Sequence, residues 1–350
     1  MNHVERVQVA LARGRPDRVP AGEFELEPGL VAALLGREGP AGFAEEVAAR
    51  ELLGMDLLAV TPQAPLKEEG NDCYQDIWGR RLRRQGSLTA VQVPAIPAVK
   101  EAASYHLPDA SAFDLRSLRR WREETDFFVF AFVDGPFQGT NKLFDFTDFL
   151  LAVAGREGAI SDLAAAVVDF NLELARLCVQ AGAHGLFIGD DIAYERGTYI
   201  HPGLWREIFL PLLRRQVEAI KAMGVPVLYH SDGNLQAILP DLATLPLDGI
   251  QCLEPAAGMD IGAIKKEYSG RLCLMGNFDL DLLATGTPET ITAAVQQLLL
   301  AAAPGGGYIF STSSGILSAD LPPRNVLALY QAVAKYGAYK TSQLARVPGS

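Results

Sequence analysis

Short apolar segments that run directly into acidic or imidazole side chains recur in the second half of this chain. The clearest is segment 225–233, which reads Val-Pro-Val-Leu-Tyr-His-Ser-Asp-Gly. Three more are segment 185–191, which ends in Asp-Asp, segment 249–254, which ends in Glu, and segment 271–279, which ends in Asn-Phe-Asp. Short apolar segments that alternate with helical ones predict parallel strands in a βα repeat. In barrels built this way the chemistry lies where the strands end.

Eight apolar segments have the length and composition of strands, and helical segments separate them. They are residues 19–25, 57–61, 127–133, 185–189, 225–229, 249–253, 271–276 and 308–311. This pattern predicts an α/β protein with a (β/α)₈ TIM barrel. Residues 1–18 are expected to form an N-terminal helical extension and residues 65–110 a small β-hairpin insertion, within one domain of residues 1–350.

Charge and composition exclude several classes of function. The net charge is −11 and the chain has no strong basic cluster, which argues against a nucleic-acid partner. The N-terminus has no apolar signal core, and the longest apolar helix-like run, residues 290–303, is too short to cross a bilayer. The four cysteines lack CxxC spacing, as expected for reduced thiols. We therefore expect a cytoplasmic protein that does not enter the membrane.

If the barrel forms, polar side chains at the strand ends converge on one cavity mouth. These candidates are Glu25, Asp56, Asp134, Asp190, Asp191, Tyr229, His230, Asp232, Glu254, Asn277 and Ser314. Several carboxylates around one imidazole need a compensating cation, which can be a metal, a cationic substrate or shared protons. Histidine with aspartate and glutamate suits Zn²⁺. For Asp191, Asp232 and Asp279 the alternative is a plain helix N-cap.

The order and spacing of several motifs resemble the uroporphyrinogen decarboxylase superfamily, which also holds cobalamin-linked methyltransferases. The motifs are Pro16-Asp-Arg-Val-Pro20, Gly189-Asp-Asp191, His201-Pro-Gly-Leu-Trp205, His230-Ser-Asp-Gly233, Gly276-Asn-Phe-Asp279 and Pro323-Arg-Asn325. The resemblance covers nearly the whole chain and implies the same TIM barrel.

Departures from the family pattern indicate which branch of the superfamily the chain resembles. Glu25 stands where the decarboxylase has the first arginine of its substrate clamp, which reverses the charge toward a polycarboxylate. Ser314 stands where the decarboxylase has a histidine between two glycines. The methyltransferases that make methyl-coenzyme M bind zinc through His-x-Cys and a later Cys. His230 matches that histidine, but Asp232 and Ser314 replace the two cysteines.

The resemblance therefore implies a corrinoid-dependent methyltransferase, with an O-demethylase favoured. The resemblance implies a methoxyaromatic, methanol or a methylamine as the methyl donor and a cobalamin-binding corrinoid protein as the acceptor. Catalytic roles are expected for His230, Asp190 and Asp191, and Zn²⁺ ligation for His230, Asp232 and Glu254. The expected substrate-binding residues are Glu25, Asp56, Asp134, Tyr229, Asn277 and Ser314.

Two other functions stay open at this point. One is a decarboxylase-like activity on a porphyrinogen with a different anion clamp. The other is a barrel that binds a corrinoid or a methylated ligand without chemistry. A homodimer is compatible with the sequence, and the direction of methyl transfer is left open.

Overall fold

Helices and strands alternate along the chain in the structure, a computed structural model that describes residues 1–39, 41–85 and 88–339. The strands are β1 (Glu25–Leu26), β2 (Leu57–Val60), β3 (Leu66–Gly70), β4 (Cys73–Asp76), β5 (Arg81–Gln85), β6 (Leu88–Val93), β7 (Phe128–Asp134), β8 (Gly185–Gly189), β9 (Ala193–Tyr194), β10 (Gly197–Thr198), β11 (Val227–Ser231), β12 (Gly249–Cys252), β13 (Cys273–Phe278), β14 (Tyr308–Thr312) and β15 (Ile316–Leu317). The α-helices are α1 (His3–Leu11), α2 (Pro28–Leu34), α3 (Phe43–Leu53), α4 (Arg116–Glu124), α5 (Pro136–Asn141), α6 (Phe146–Ala154), α7 (Gly158–Gln180), α8 (Pro202–Ile208), α9 (Leu210–Ala222), α10 (Leu239–Leu242), α11 (Ile261–Tyr268), α12 (Leu280–Thr285), α13 (Pro288–Ala302) and α14 (Pro323–Tyr336). Short 3₁₀ helices cover Val99–Ser104, Ala110–Ala112 and Pro255–Ala257.

The chain packs as two compact units. Unit 1 comprises residues 1–58 and 126–128 and the part of the chain from residue 260 onward, and unit 2 comprises residues 59–125 and 129–259.

The core of unit 2 is a parallel sheet in which β7, β8, β11 and β12 lie side by side in that order. Every residue of β8 and β12 is buried, which explains why these strands read as continuous apolar runs rather than as alternating ones. Helix α7 covers part of this core with a buried stripe that includes Leu163, Val167, Leu174 and Cys178. The α/β class and the parallel βα repeat predicted from the sequence are confirmed.

The predicted hairpin insertion is a larger element than expected. Within residues 65–110 the strands β3, β4, β5 and β6 form a four-stranded antiparallel sheet. Asn71 and Asp72 join β3 to β4 with φ values of 51° and 57°, the left-handed conformations that a two-residue type I′ turn requires.

In unit 1, β13 and β14 pair in parallel, and α1 is the predicted N-terminal helix. The prediction of one continuous strand over residues 19–25 was wrong. Ala21 bridges in parallel to Phe310 and Gly22 to Leu57, so this segment occupies a strand position, but the regular strand β1 begins only at Glu25. Pro20 lies inside the segment and has no N–H to donate, which interrupts a regular ladder.

Helix α13 begins at an N-cap signal that the sequence carries. Thr290 donates its backbone N–H to the Thr287 hydroxyl at 3.3 Å, with Pro288 in the first turn of α13. The segment after His201 forms two helices, α8 and α9, which meet at Phe209. None of the helices in the described ranges has both the length and the apolar character needed to cross a bilayer.

Candidate active site

The strand register of unit 2 brings four positions into one row across the sheet. Asp134 of β7 pairs with Gly189 of β8, Gly189 pairs with His230 of β11, and His230 pairs with Gln251 of β12. Register partners in a parallel sheet point to the same face, so Asp134, His230 and Gln251 share a face at the carboxyl ends of their strands. This is the end at which barrels of this type carry their chemistry.

The ligand atoms of Asp191, His230 and Asp232 lie within 4.8 Å of one another. His230 Nε2 is 3.6 Å from Asp191 Oδ1 and 4.0 Å from Asp232 Oδ1. The Asp232 side chain is 58% exposed and the His230 side chain 12% exposed, so the group is open on the side of Asp232. We call these three residues the His/Asp cluster.

Gln251 orients the imidazole of His230. Its Oε1 is in hydrogen-bond contact with His230 Nδ1, so Nδ1 carries the proton and donates. In the neutral imidazole this leaves the lone pair on Nε2, which faces two carboxylates. Three groups that present lone pairs to one point require a cation or a proton between them. The donor set therefore fits a divalent metal such as Zn²⁺, with Gln251 as the outer hydrogen-bond partner that ligating histidines usually have.

Asp190 is fully buried beside the cluster and anchors the start of α5. Its Oδ1 accepts the backbone N–H groups of Phe137 and Gln138 at 2.8 and 2.9 Å. Burial raises the pKa of Asp190 to about 7, while these two hydrogen bonds oppose the rise and the charges of Asp191 and Asp134 add to it. A Cβ on Gly135 would lie 2.3 Å from Asp190 Cγ, so only glycine allows this approach.

The pKa values of neighbouring groups are raised for the same reason. Burial raises the pKa of Asp191, although His230 opposes it. Burial and the charge of Asp190 raise the pKa of Tyr229 far above its ordinary value, and the Tyr229 hydroxyl donates to the Asp190 carbonyl at 3.1 Å. Tyr229 was predicted to contact substrate, and the structure instead buries it completely against Asp190.

Glu254, the third predicted metal ligand, lies outside the cluster. Its Oε2 accepts the backbone N–H of Gly233 at 3.0 Å. The turn that leads to it contains Cys252 and Leu253 with φ values of 90° and 54°, left-handed conformations that cost energy for residues with a side chain. Cys252 donates its thiol to Asp232 Oδ1 at 3.1 Å. The structure therefore favours Asp191 over Glu254 as the third ligand.

A cavity of about 340 Å³ adjoins the cluster and lies wholly within unit 2. This volume is at the lower end of the ~300–1,000 Å³ range of small-molecule sites. The cavity is lined by Thr61, Pro62, Ala64, Trp78, Phe113, Phe132, Val133, Asp134, Gln138, Lys142, Phe170, Asn171, Leu174, Gly189, Asp191 and His230. No arginine belongs to this lining in the described chain.

Aromatic rings form one wall of the cavity. Trp78 and Phe170 meet edge to face with ring centroids 4.7 Å apart, and Phe113 is 5.8 Å from Phe170. The ammonium of Lys142 lies 3.9 Å from the centroid of the Trp78 ring and pairs with Asp134. Asp134 pairs with Lys142, and Asp191 is the other acidic residue of the lining in the described chain.

The remaining predicted site residues belong to unit 1. Glu25 is an exposed residue of β1, Asn277 is buried in β13, and the Ser314 hydroxyl accepts the N–H of Ile316 at 3.4 Å. Asp279 is the N-cap of α12, accepting the N–H of Asp281 at 2.8 Å. Their convergence with His230 stays a prediction.

Asp56 immediately precedes β2, as its place before the predicted strand implies. Its buried carboxylate accepts from Arg6 at 2.6 Å and from Arg18 at 2.7 Å. Burial alone would raise the pKa of Asp56, but the contacts with His3, Arg18 and Arg6 hold it below its usual value. This arrangement favours a structural role over substrate binding.

Sequence reasoning missed Gln251, Trp78 and Lys142. Gln251 carried a signal, because it is a polar residue inside an apolar strand and it pairs with His230 once the register is known. Trp78 lies in the turn between β4 and β5 and Lys142 follows α5, and neither position is marked by strand periodicity.

Comparison with known proteins identifies the family. Residues 85–336 match the family model for uroporphyrinogen decarboxylase (URO-D). The chain is 31% identical over 165 residues to the uroporphyrinogen decarboxylase of Chlorobaculum parvum, which covers 46% of this chain and 44% of that protein. It is 35% identical over 131 residues to the enzyme of the same name from Anaeromyxobacter dehalogenans, which covers 37% and 36% of the two chains. These matches span less than half the length of the curated relatives.

Solved structures support the fold. A methyltransferase from Methanosarcina mazei superposes with a TM-score of 0.74 at 18% identity, over 97% of this chain and 100% of that chain. A B12-independent methionine synthase from Shewanella sp. W3-18-1 superposes with a TM-score of 0.52 at 13% identity, over 91% and 98% of the two chains. At these identities the likeness shows a shared TIM-barrel-like fold. Because the family model covers most of the chain, the protein belongs to the uroporphyrinogen decarboxylase family.

Proposed function

We propose that this protein transfers a methyl group from a small methylated donor to the cobalt of a separate corrinoid protein. The observation that carries the proposal is the direct contact between a small aromatic-walled cavity and the His/Asp cluster. The cavity suits a compact, largely apolar donor. Asp191 and His230 of the cluster belong to the lining of the cavity, so the leaving atom of such a donor would be polarised there.

The charges of the cavity favour this function over decarboxylation of a porphyrinogen. A substrate with several carboxylates needs cationic partners in the site. Here Lys142 is already paired with Asp134, and Asp191 adds a negative charge. A cavity of about 340 Å³ also leaves little room for a tetrapyrrole. A neutral or cationic donor meets neither obstacle.

The chain's own residues have defined roles in this proposal. Gln251 fixes the orientation of His230, and Cys252 fixes that of Asp232 through its thiol. Asp191, His230 and Asp232 would hold Zn²⁺, which supplies a Lewis acid for the leaving oxygen or nitrogen. Asp190 holds the start of α5, and so places Gln138 and the cavity wall.

The transfer itself balances with the corrinoid as co-substrate. The bond between the methyl carbon and the donor oxygen or nitrogen breaks, and its electron pair stays on that atom, which takes a proton from solvent. Co(I) provides the pair for the new cobalt–carbon bond and becomes methyl-Co(III). Cobalt must therefore reach the methyl carbon directly, and the partner is a corrinoid-carrying protein.

Phe146, Tyr194 and Tyr199 form an exposed aromatic rim that suits such a partner. Tyr194 and Tyr199 of the β9–β10 hairpin region stack with centroids 5.4 Å apart, and Phe146 meets Tyr199 edge to face at 5.0 Å. Partial burial raises the pKa of Tyr199, and the charges of Asp191 and Asp232 raise it further, which indicates that this rim lies beside the cluster. Exposed aromatic rings at the mouth of a site are typical of interaction surfaces.

The test is cobalt methylation together with metal content. With Co(I) corrinoid and a panel of methoxyaromatics, methanol and methylamines, the wild-type protein should yield methyl-Co(III) from at least one donor. Asp191→Asn should weaken zinc binding by roughly 100-fold or more, because changes to the partners of ligands alone cost ~10–100-fold. Asp169→Asn is the matched control, since Asp169 is an exposed aspartate of the same unit that pairs with Arg215.

Two other outcomes would decide against the proposal. Turnover of uroporphyrinogen without cobalt methylation from any donor would establish the decarboxylase alternative. Tight binding of a corrinoid or a methylated ligand without any turnover would establish the binding-protein alternative.

A further inference from the structure

A groove of about 680 Å³ lies in unit 1, where α13 and α14 end. This volume falls within the ~300–1,000 Å³ range of small-molecule sites. The groove is lined by Arg15, Gln296, Leu299, Leu300, Ala303, Pro304, Gly305, Lys335, Tyr336, Gly337, Ala338 and Tyr339. We call it the α13/α14 groove. None of these residues belongs to the His/Asp cluster or to its cavity, so the proposed function leaves the groove unexplained.

Backbone hydrogen bonds hold the walls of the groove together. Gly307, which follows α13, donates its N–H to the carbonyl of Gly14 at 3.0 Å. Val19 donates its N–H to the carbonyl of Gly337, the residue after α14, at 2.9 Å. These contacts tie the segment that carries Arg15 to the ends of both helices. The groove is therefore built by the packing of unit 1.

The charge of the groove is opposite to that of the whole chain. The protein has a net charge of −11, whereas the lining contains two cations, Arg15 and Lys335, and no acid in the described chain. Both cationic side chains are exposed. Neither forms an ion pair with a carboxylate among the described residues, and the Lys335 ammonium lies 5.0 Å from the centroid of the Tyr336 ring. Two unpaired cations beside one groove favour an anionic ligand.

Nearby negative charges are already compensated. The carbonyl of Asp17 accepts the N–H of Tyr339, but the Asp17 carboxylate pairs with Arg6 at 2.7 Å. Helix C-termini carry partial negative charge, and both helices end beside the groove. The carbonyls of Leu299 and Val333 in their last turns accept backbone N–H groups at 3.1 and 2.8 Å. The full charges of the two cations therefore dominate the groove.

The rest of the lining is largely apolar. Leu299 is buried, whereas Leu300 and Tyr336 are large side chains that the structure leaves exposed. Large apolar groups that face solvent beside a cavity are typical of binding sites. The groove thus offers an apolar surface next to two cations.

We infer that the α13/α14 groove binds a small amphipathic anion, a molecule with an apolar chain that ends in one carboxylate. The carboxylate would be held by Arg15 and Lys335, and the chain would cover Leu300 and Tyr336. This site is independent of the proposed function, which takes a neutral or cationic donor at a different cavity.

Two ligands of the same length isolate the role of charge. Octanoate and octanamide share their apolar chain and differ in the charge of the head group. The full-length protein should bind octanoate roughly 10-fold more tightly than octanamide at low salt. In about 1 M NaCl, where the screening length falls to ~3 Å, the preference should drop to within about twofold. Butanoate should bind at least ~10-fold more weakly than octanoate, because its shorter chain covers less apolar surface. Titration calorimetry measures all three ligands.

Variants connect the preference to the two cations. The double variant Arg15→Gln, Lys335→Gln should bind octanoate and octanamide equally within about twofold. Lys266→Gln is the matched control, because it removes an exposed lysine of unit 1 that does not line the groove, and it should keep the preference. All three positions are exposed, so the variants should unfold at the temperature of the wild type.

Four results would overturn the inference. They are no binding of octanoate by the wild-type protein, equal binding of octanoate and octanamide, an unchanged preference in the double variant, and an equal loss of preference in Lys266→Gln. Cobalt methylation is measured separately and does not depend on any of these outcomes. Failure of the inference and failure of the proposed function are therefore distinguishable.

Discussion

The buried carboxyl of Glu23 should make the stability of the protein fall as pH rises from acid to neutral, and Glu23→Gln should remove this dependence. Glu23 is fully buried in unit 1. Burial raises its pKa from 4.5 to about 7, while hydrogen bonds from the Tyr330 hydroxyl and the Thr312 N–H oppose the rise. Those two contacts measure 2.6 and 2.8 Å.

The direction of the effect follows from proton linkage. Between pH 4.5 and about pH 7 the folded protein holds a proton on Glu23 that the unfolded chain has released. The free energy of unfolding therefore falls as pH rises through this interval, and this contribution stays constant above it. The interval is about 2.5 pH units wide. At ~1.4 kcal/mol per unit, Glu23 lowers the stability by about 3 kcal/mol at pH 8 relative to pH 4.

Glutamine preserves the contacts and removes the titration. Its Oε1 can accept from Tyr330 and Thr312, and its Nε2 can donate to the Thr312 hydroxyl that now contacts Glu23 at 3.0 Å. The stability of the variant minus that of the wild type should rise by about 3 kcal/mol between pH 4.5 and 8. Urea unfolding followed by far-UV circular dichroism measures this difference. Tryptophan fluorescence would not report on unit 1, where Glu23 lies, because Trp78, Trp121 and Trp205 all belong to unit 2.

A second variant tests the assignment to Glu23. Tyr330→Phe removes a donor that lowers the pKa of Glu23, so the loss of stability should extend to higher pH. A difference between Glu23→Gln and the wild type that does not change with pH would refute the reasoning. If the stability of Glu23→Gln relative to the wild type fell as pH rises, the predicted sign of the effect would be wrong.

Two further predictions concern packing and the role of Asp56. Gly135→Ala should destabilise unit 2 by about 3 kcal/mol or more, because the new methyl group would overlap Asp190. Gly158→Ala should stabilise unit 2 by roughly 0.5–1 kcal/mol, because there is open space around this residue at the start of α7. Thermal unfolding of the two variants checks both signs. Asp56→Ala should cost about 3–5 kcal/mol, because Arg6 and Arg18 lose their buried partner. Methyl-transfer kinetics of the folded fraction should stay close to wild type, and a loss of activity at full stability would restore the substrate-binding role.

The strands could be predicted because a strand that is buried on both faces consists almost entirely of apolar residues. Segment 185–189 was predicted with the bounds that β8 has, and the other predicted strands of unit 2 were located within a few residues. Segment 19–25 failed for a local reason, since Pro20 removes a donor in the middle of an otherwise suitable run.

The site could be predicted only in part, because position along the chain does not determine which side chains meet. Glu254 follows its strand as directly as Asp191 does, yet the left-handed residues Cys252 and Leu253 turn the chain so that Glu254 binds Gly233. Asp191 instead joins His230 and Asp232. The periodicity of apolar residues along the chain does not predict such a turn.

The strand register determines which polar side chains of this protein lie close enough to act together. The row from Asp134 through Gly189 and His230 to Gln251 exists only for one alignment of the four strands. A slip of one residue would turn His230 to the opposite face and leave the cavity without its cluster. Members of one family can therefore share strands and core while their activities differ, because a few side chains at the strand ends decide the reaction. We propose that in this chain those side chains are the His/Asp cluster and Gln251, and substitutions there should change activity before they change the fold.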